Sequence, residues 1–139
     1  MNVTVTRHNV REMALQALFI ASSHPNLAIT AALQQVLHYW QVEQCPEYLT
    51  FLVTGVWDER TQLDQQLSQY LKTGWQIQRL SRIDLNILRL GLFEIKNSPA
   101  IPAKVAINEA LELVNQYSTA DAKKFINGVL SNFIPDSAE

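Results

Sequence analysis

Residues 82–95 read RIDLNILRLGLFEI, and this segment predicts the central element of the fold. Ser81 precedes it and Asp84 follows three positions later, a spacing like that of the capping box at the start of a helix. Apolar residues then fall on nearly every side, which predicts a helix that is buried all round. Gly91 costs about 1 kcal/mol relative to Ala in the middle of a helix. We therefore expect Gly91 to permit the close approach of a neighbouring helix.

The rest of the chain continues the helical pattern. Apolar residues recur at spacings of three and four, which is typical of amphipathic helices, and no stretch alternates apolar and polar residues in the manner of a strand. A kink or break is expected at Asp58 to Thr61, where the apolar stripe is interrupted. Helical stripes are predicted over residues 10–21, 29–40, 46–57, 63–71, 82–95, 102–117 and 122–133.

The predicted fold is all-α, with about seven helices forming two small packed helical bundles. Short loops place successive helices as packed neighbours. The bundles are expected to cover approximately residues 1–73 and 74–139, because Thr73, Gly74 and Trp75 interrupt the helical pattern. Together, residues 1–139 have the length of one ordinary domain.

The charge balance excludes a uniformly basic nucleic-acid binder. The chain carries 11 Lys and Arg against 13 Asp and Glu, a net charge of −2. No basic residue stands between Arg11 and Arg60, so a polyanion would have to contact the N-terminus and the second half of the chain. A solvated surface without a polyanion partner is the alternative. The basic residues of the second half are Arg60, Lys72, Arg79, Arg82, Arg89, Lys96, Lys104, Lys123 and Lys124.

Catalytic and metal-binding patterns are absent from the sequence. The single cysteine, Cys45, has no histidine near it, and the three histidines lack the spacing of metal ligands. No nucleophile or phosphate-binding loop motif occurs. Glu109 and Glu112 share a helix face, where a solvated surface is favoured over a catalytic pair of carboxylates. We therefore expect a protein that is not an enzyme and that holds no metal and no cofactor.

Compartment signals are also absent. No apolar run approaches the roughly 18 residues of a membrane span, and the N-terminal segment does not have the pattern of a signal peptide. These observations predict a cytoplasmic protein with no membrane partner.

Basic residues at helix starts point to an anionic ligand. Arg7 and Arg11, four positions apart, project to one side of the first helix, and Lys124 lies in the first turn of the last helix. Cations at these ends oppose the helix macrodipole, which favours anions there. The rings of Phe19 and Phe125 can stack on unpaired bases, although core packing is the alternative for each.

Four segments resemble the NusB family of bacterial transcription antitermination factors. Residues 82–95 are similar to the central helix of that family, and residues 101–113, IPAKVAINEALEL, are similar to the helix that follows. Residues 121–130, DAKKFINGVL, resemble its last helix, and residues 11–19, REMALQALF, resemble its first. The resemblance follows the whole chain in order and in length, while residues 22–75 match in pattern and spacing only.

The resemblance implies a helical protein that does no chemistry itself. Members of this family bind boxA-type single-stranded RNA in nascent ribosomal RNA leaders together with NusE, a small-subunit ribosomal protein. The pair joins RNA polymerase and other Nus factors and suppresses premature termination. Contacts with NusE are expected in the second half of the chain, around the last three predicted helices.

The resemblance also implies a set of RNA-binding residues. His8 and Asn9 stand where the family often has arginine, so we expect weak RNA binding by the protein alone. Helix capping is the alternative role of Asp121, and close packing is the alternative for Asn127 and Gly128. The expected RNA-binding residues are Arg7, His8, Arg11, Phe19, Glu94, Asp121, Lys124, Phe125 and Asn127.

Three other functions stay open at this point. A helical protein–protein adaptor without direct RNA contact is compatible with the depleted N-terminal arginine run. The same kind of helical domain also occurs fused to ribosomal RNA cytosine methyltransferases. We do not expect this enzymatic function for a chain of 139 residues. Self-association through an exposed apolar face is the third.

Overall fold

The protein, described by a computed structural model over residues 5–71 and 76–135, is built from α-helices. No strand occurs in these residues, and the expected all-α fold is confirmed. None of the helices described is long and apolar enough to cross a membrane. The helices are α1 (Arg7–Ser23), α2 (Ile29–Tyr39), α3 (Glu47–Ser68), α4 (Arg82–Asn97), α5 (Ala103–Tyr117) and α6 (Ala120–Ser131), with a 3₁₀ turn at Ile77–Arg79.

The third and fourth predicted helices are a single helix, α3, so the break expected at residues 58–61 is wrong. These four residues are Asp, Glu, Arg and Thr, and none is the Pro or Gly that breaks a helix. Val56, Leu63 and Leu67 lie on one helical face, because separations of seven and eleven residues are close to whole numbers of turns. All three side chains are fully buried. The polar run therefore neither ends α3 nor interrupts its buried face, and the described residues contain six α-helices rather than seven.

The chain divides into two compact units between Asp58 and Glu59. The first unit holds α1, α2 and the beginning of α3, and the second holds the remainder of α3 with α4, α5 and α6. The boundary predicted near residues 73 and 74 falls on residues 72–75, which lie outside the described residues.

A capping box begins α1 in the first unit. The Asn9 amide donates to Thr6 Oγ1 at 3.0 Å, and the Thr6 amide donates to Asn9 Oδ1 at 3.2 Å. This reciprocal pair satisfies two backbone donors that a helix start otherwise leaves open. Helix α1 packs against α2. Trp40, at the end of α2, donates through Nε1 to Gln16 Oε1 of α1 at 2.8 Å.

The second unit is built around α4, which packs against both α5 and α6. A Cβ atom placed on Gly91 would lie 2.8 Å from Leu130 Cδ1 of α6 and 3.4 Å from Ala110 Cβ of α5. The expectation that Gly91 permits close helix approach is therefore confirmed. A consecutive run of α4, residues 86–94, is buried, as its all-round apolar pattern predicts.

A largely buried ion pair joins α3 to α4, with the Arg89 side chain 11% and the Asp64 side chain 22% exposed. Arg89 donates from Nε to Asp64 Oδ1 and from a terminal nitrogen to Asp64 Oδ2, both at 2.7 Å. Its other terminal nitrogen donates to Asn86 Oδ1 at 3.2 Å, and Asn86 Nδ2 donates to the Arg82 carbonyl at 2.9 Å. This two-pronged geometry is the strong form of an arginine–carboxylate contact. Arg89 is thus a structural residue and does not add to the basic surface.

We expect the two helical glycines to respond oppositely to alanine. Gly91→Ala should lower the free energy of unfolding by about 1 kcal/mol, because overpacking against Leu130 outweighs the gain in helix propensity. Gly128→Ala should raise it by about 0.5–1 kcal/mol, since a Cβ there meets no atom of the described residues within 4 Å. Urea unfolding followed by circular dichroism measures both, and an equal gain in stability for the two variants would contradict the packing at Gly91.

Removing one partner of the ion pair should be costly. Asp64→Ala is expected to lower the free energy of unfolding by about 3 kcal/mol, because it leaves the Arg89 guanidinium buried without its carboxylate. The double variant Asp64→Leu/Arg89→Met should recover most of this loss. Asp58→Ala, at an exposed position of the same helix, is the control. A double variant no more stable than Asp64→Ala would refute this explanation.

Candidate nucleic-acid interface

Arg7 lies at the surface of the first unit, beside aromatic rings. It is the first residue of α1 and is exposed. Its guanidinium carbon lies 4.0 Å from the centroid of the Tyr48 ring, a cation–π contact. The centroids of the Tyr48 and Phe51 rings are 5.6 Å apart. His8, the next residue of α1, is half-buried. The sequence predicted Arg7 and His8 as binding residues but gave no sign that the Tyr48 ring lies against Arg7.

Arg11 does not share the open surface of Arg7. Its side chain is only 3% exposed. Arg11 lies in line with Leu15 and Leu18, at helical spacings of four and three, and both leucines are fully buried. Arg7 and Arg11 share one side of α1 by their spacing of four, but Arg11 belongs to the buried stripe of the helix and only Arg7 is exposed. A role of Arg11 in binding RNA stays a prediction.

Phe19 and Glu94 differ in accessibility. The Phe19 ring is 37% exposed, so one part of it can be contacted from outside the chain. Glu94 is 2% exposed within the buried run of α4. A buried carboxylate has a structural role in the protein, whether or not it also contacts RNA. The expected RNA contacts of Phe19 and Glu94 stay predictions.

Helix α6 carries the remaining predicted residues on its surface. Thr119 caps the helix, since its Oγ1 accepts from the Ala122 amide at 3.0 Å. Asp121 is therefore not the cap but lies in the first turn, where its charge complements the macrodipole. Asp121, Lys124 and Asn127 are exposed, and Phe125 is half-buried.

A pocket of about 380 Å³ lies in the second unit beside these residues. The Tyr70 ring on one side of it contacts the Phe133 ring edge-on, with centroids 5.0 Å apart. Gly128 borders the pocket and faces open space, so the alternative of close packing is wrong for this glycine. The residues that line the pocket are Tyr70, Asp121, Lys124, Phe125, Gly128 and Val129.

The pocket brings together three of the four residues predicted on α6, and Asn127 does not line it. The sequence did not indicate Tyr70, because that residue is far from α6 along the chain. The side chains that line the pocket can make three kinds of contact with RNA. Rings stack on bases, an ammonium group binds phosphate, and a carboxylate accepts from an amino or hydroxyl group. No group of His, Cys, Asp or Glu in the described parts of the chain is arranged to hold a metal ion.

Comparisons with known proteins agree with one another. A sequence model described as the NusB family matches residues 8–135. The transcription antitermination protein NusB of Latilactobacillus sakei is 49% identical, over 92% of this chain and 95% of that protein. The NusB structure from T. maritima has a TM-score of 0.86 at 28% identity, and the match covers 100% of this chain and 96% of that chain.

A crystal structure of the antitermination factors NusB and NusE in complex with dsRNA is also similar. Its TM-score is 0.82 at 24% identity, covering 91% of this chain and 94% of that chain, and this likeness shows a shared fold. Since the family match spans most of the sequence and close relatives match over nearly their full length, the chain belongs to the NusB family.

Proposed function

We propose that the protein is a transcription antitermination factor that binds boxA-type single-stranded RNA in nascent ribosomal RNA leaders together with NusE. Membership of the NusB family, whose similar relatives are transcription antitermination proteins, carries this proposal. The solved complex of a NusB and a NusE with RNA supports the choice of partners. The protein acts in the cytoplasm by binding and not by catalysis, and it joins RNA polymerase through an assembly with other Nus factors.

The distribution of charge favours joint binding over binding alone. The net charge is −2, and two of the arginines that the sequence offers, Arg11 and Arg89, are buried. The exposed cations among the predicted contacts are Arg7 and Lys124. Two phosphate contacts to a single strand correspond to a slope of log K against log salt of about −1.4. A basic ribosomal protein can supply the remaining attraction for RNA.

A helical adaptor without RNA contact is the second candidate. The burial of Arg11 and Glu94 favours it, because two of the predicted contacts are not on the open surface. The two candidates differ in one measurable respect, which is whether RNA binds more tightly when this protein is added to NusE.

Gel shifts of boxA-type RNA should separate these functions. We expect a weak shift or none with the protein alone, and a strong shift when NusE is added, because neither partner alone supplies the full set of phosphate contacts. The RNA is titrated with this protein, with NusE and with both. A shift with both that equals the shift with NusE alone would favour the adaptor.

Lys124→Glu should weaken this joint complex about tenfold. The substitution removes a charge-assisted contact to phosphate, which is worth about 1.5 kcal/mol or more, and it should make the salt slope shallower by about 0.7. Lys124 is exposed, so the fold should be retained. Arg79→Glu, at an exposed position of the 3₁₀ turn and outside the helices expected to contact NusE, is the control with the same change of charge. Equal losses of affinity in both variants would indicate a general charge effect and no contact at Lys124.

A further inference from the structure

Arg7, Tyr48 and Phe51 form a continuous surface in the first unit, which we call the arginine–aromatic surface. Tyr48 and Phe51 lie three positions apart on α3 and therefore on one face of that helix. Their rings are 5.6 Å apart with an angle of 30° between their planes. The guanidinium carbon of Arg7 lies 4.0 Å from the Tyr48 ring centroid.

Arg7 is held in place from two directions. The capping box between Thr6 and Asn9 fixes the backbone at the first residue of α1. The face of the Tyr48 ring then contacts the Arg7 guanidinium and holds the side chain. This contact uses the π-face of the ring and does not consume the N–H donors of the guanidinium, which can still bind phosphate. An arginine ordered before it binds loses less side-chain entropy when it binds.

The contact with Tyr48 offsets an unfavourable position of the Arg7 charge. The start of a helix is the end at which the macrodipole disfavours positive charge. Arg7 is held by an aromatic ring there, and this leaves its charge available to an anion.

Phe51 extends the surface with an accessible ring. It is 40% exposed, whereas the apolar residues on either side of it in α3, Leu49, Leu52 and Val53, are fully buried. Phe51 is connected to Arg7 through the Tyr48 ring, which contacts both residues. Proteins bind single-stranded nucleic acid with rings on which bases stack and with cations that meet the phosphates.

We infer that Tyr48 is a positioning residue for Arg7 and that Phe51 is a stacking residue, and that together they bind one unpaired nucleotide of the RNA. The inference rests on the proposed function and adds two binding residues to it. The positive charge of Arg7 next to aromatic faces favours a nucleotide over an apolar protein segment.

The test measures affinity for boxA-type RNA in the presence of NusE. Tyr48→Leu should weaken binding about two- to fivefold, the range that corresponds to an exposed cation–π contact. Tyr48→Phe, which keeps the ring, should bind like the unchanged protein. Phe51→Leu should weaken binding at least about fivefold, as expected for loss of one base-stacking contact. Tyr39→Leu is the matched control, because Tyr39 is 81% exposed in the same unit.

A double-mutant cycle identifies the positioning role. In an Arg7→Ala background, Tyr48→Leu should cause no further loss, because there is no guanidinium left to position. Circular dichroism verifies that each variant is folded, and Tyr48→Phe keeps the test decisive if Tyr48→Leu is unstable. An equal loss with and without Arg7 would overturn the positioning role of Tyr48.

The other outcomes are equally distinct. If Phe51→Leu binds RNA as tightly as Tyr39→Leu, the stacking role is overturned while the proposed function stands. If the variants weaken binding of NusE in the absence of RNA, the surface contacts protein, and the inference is overturned. If the unchanged protein with NusE does not bind boxA-type RNA better than NusE alone, both the proposed function and this inference fail.

Discussion

The missing side chain at Gly91 is the constraint on which the second unit depends. Helix α4 is buried over most of its length, and its neighbours come so close that a single methyl group would meet Leu130 at 2.8 Å. A packed interior cannot absorb an added atom of this kind without displacing its neighbours. Gly91 therefore lets the Leu130 side chain of α6 pack directly against α4, in the same helix that presents Asp121, Lys124 and Phe125.

Polar contacts complete the second unit in directions that apolar packing leaves open. Asp64 and Arg89 tie α3 to α4 with two short hydrogen bonds, and Ser118 donates to Asp84 at 2.7 Å between α5 and α4. Such contacts are directional, and each buried partner is costly to leave alone. Because Arg89 is buried and paired with Asp64, its positive charge is not available at the surface.

The sequence predicted those features that depend on regular spacing along one helix. The buried character of α4 and the role of Gly91 are of this kind, since the apolar pattern and the cost of glycine are both local properties. The break expected in α3 was wrong because a run of polar residues was interpreted as the end of a helix. The run lies within α3, and the buried face of the helix continues past it. The burial of Arg11 was not predicted because a spacing of four shows that two residues share a face but does not show whether that face is buried.

Tyr48 and Tyr70 could not be predicted as members of a site for a different reason. Tyr48 meets Arg7 across two helices, and Tyr70 borders the α6 pocket from a distant part of the chain. Contacts of this kind depend on how the helices pack, and the spacing of residues along one helix carries no information about them. The resemblance to a family indicated Arg7, Lys124 and Phe125, but the partners that surround them required the fold.

Gly128 has a consequence for any attempt to make this protein more robust. It occupies the interior of α6, is exposed, and has no atom of the described residues near the place where a side chain would begin. Selection for thermal resistance alone should favour Gly128→Ala, because alanine is the better helix former and no atom of the described residues obstructs its Cβ. Gly128 therefore lowers the stability of α6 below what its surroundings permit, and a library screened for heat tolerance and RNA binding together would show whether binding requires the glycine.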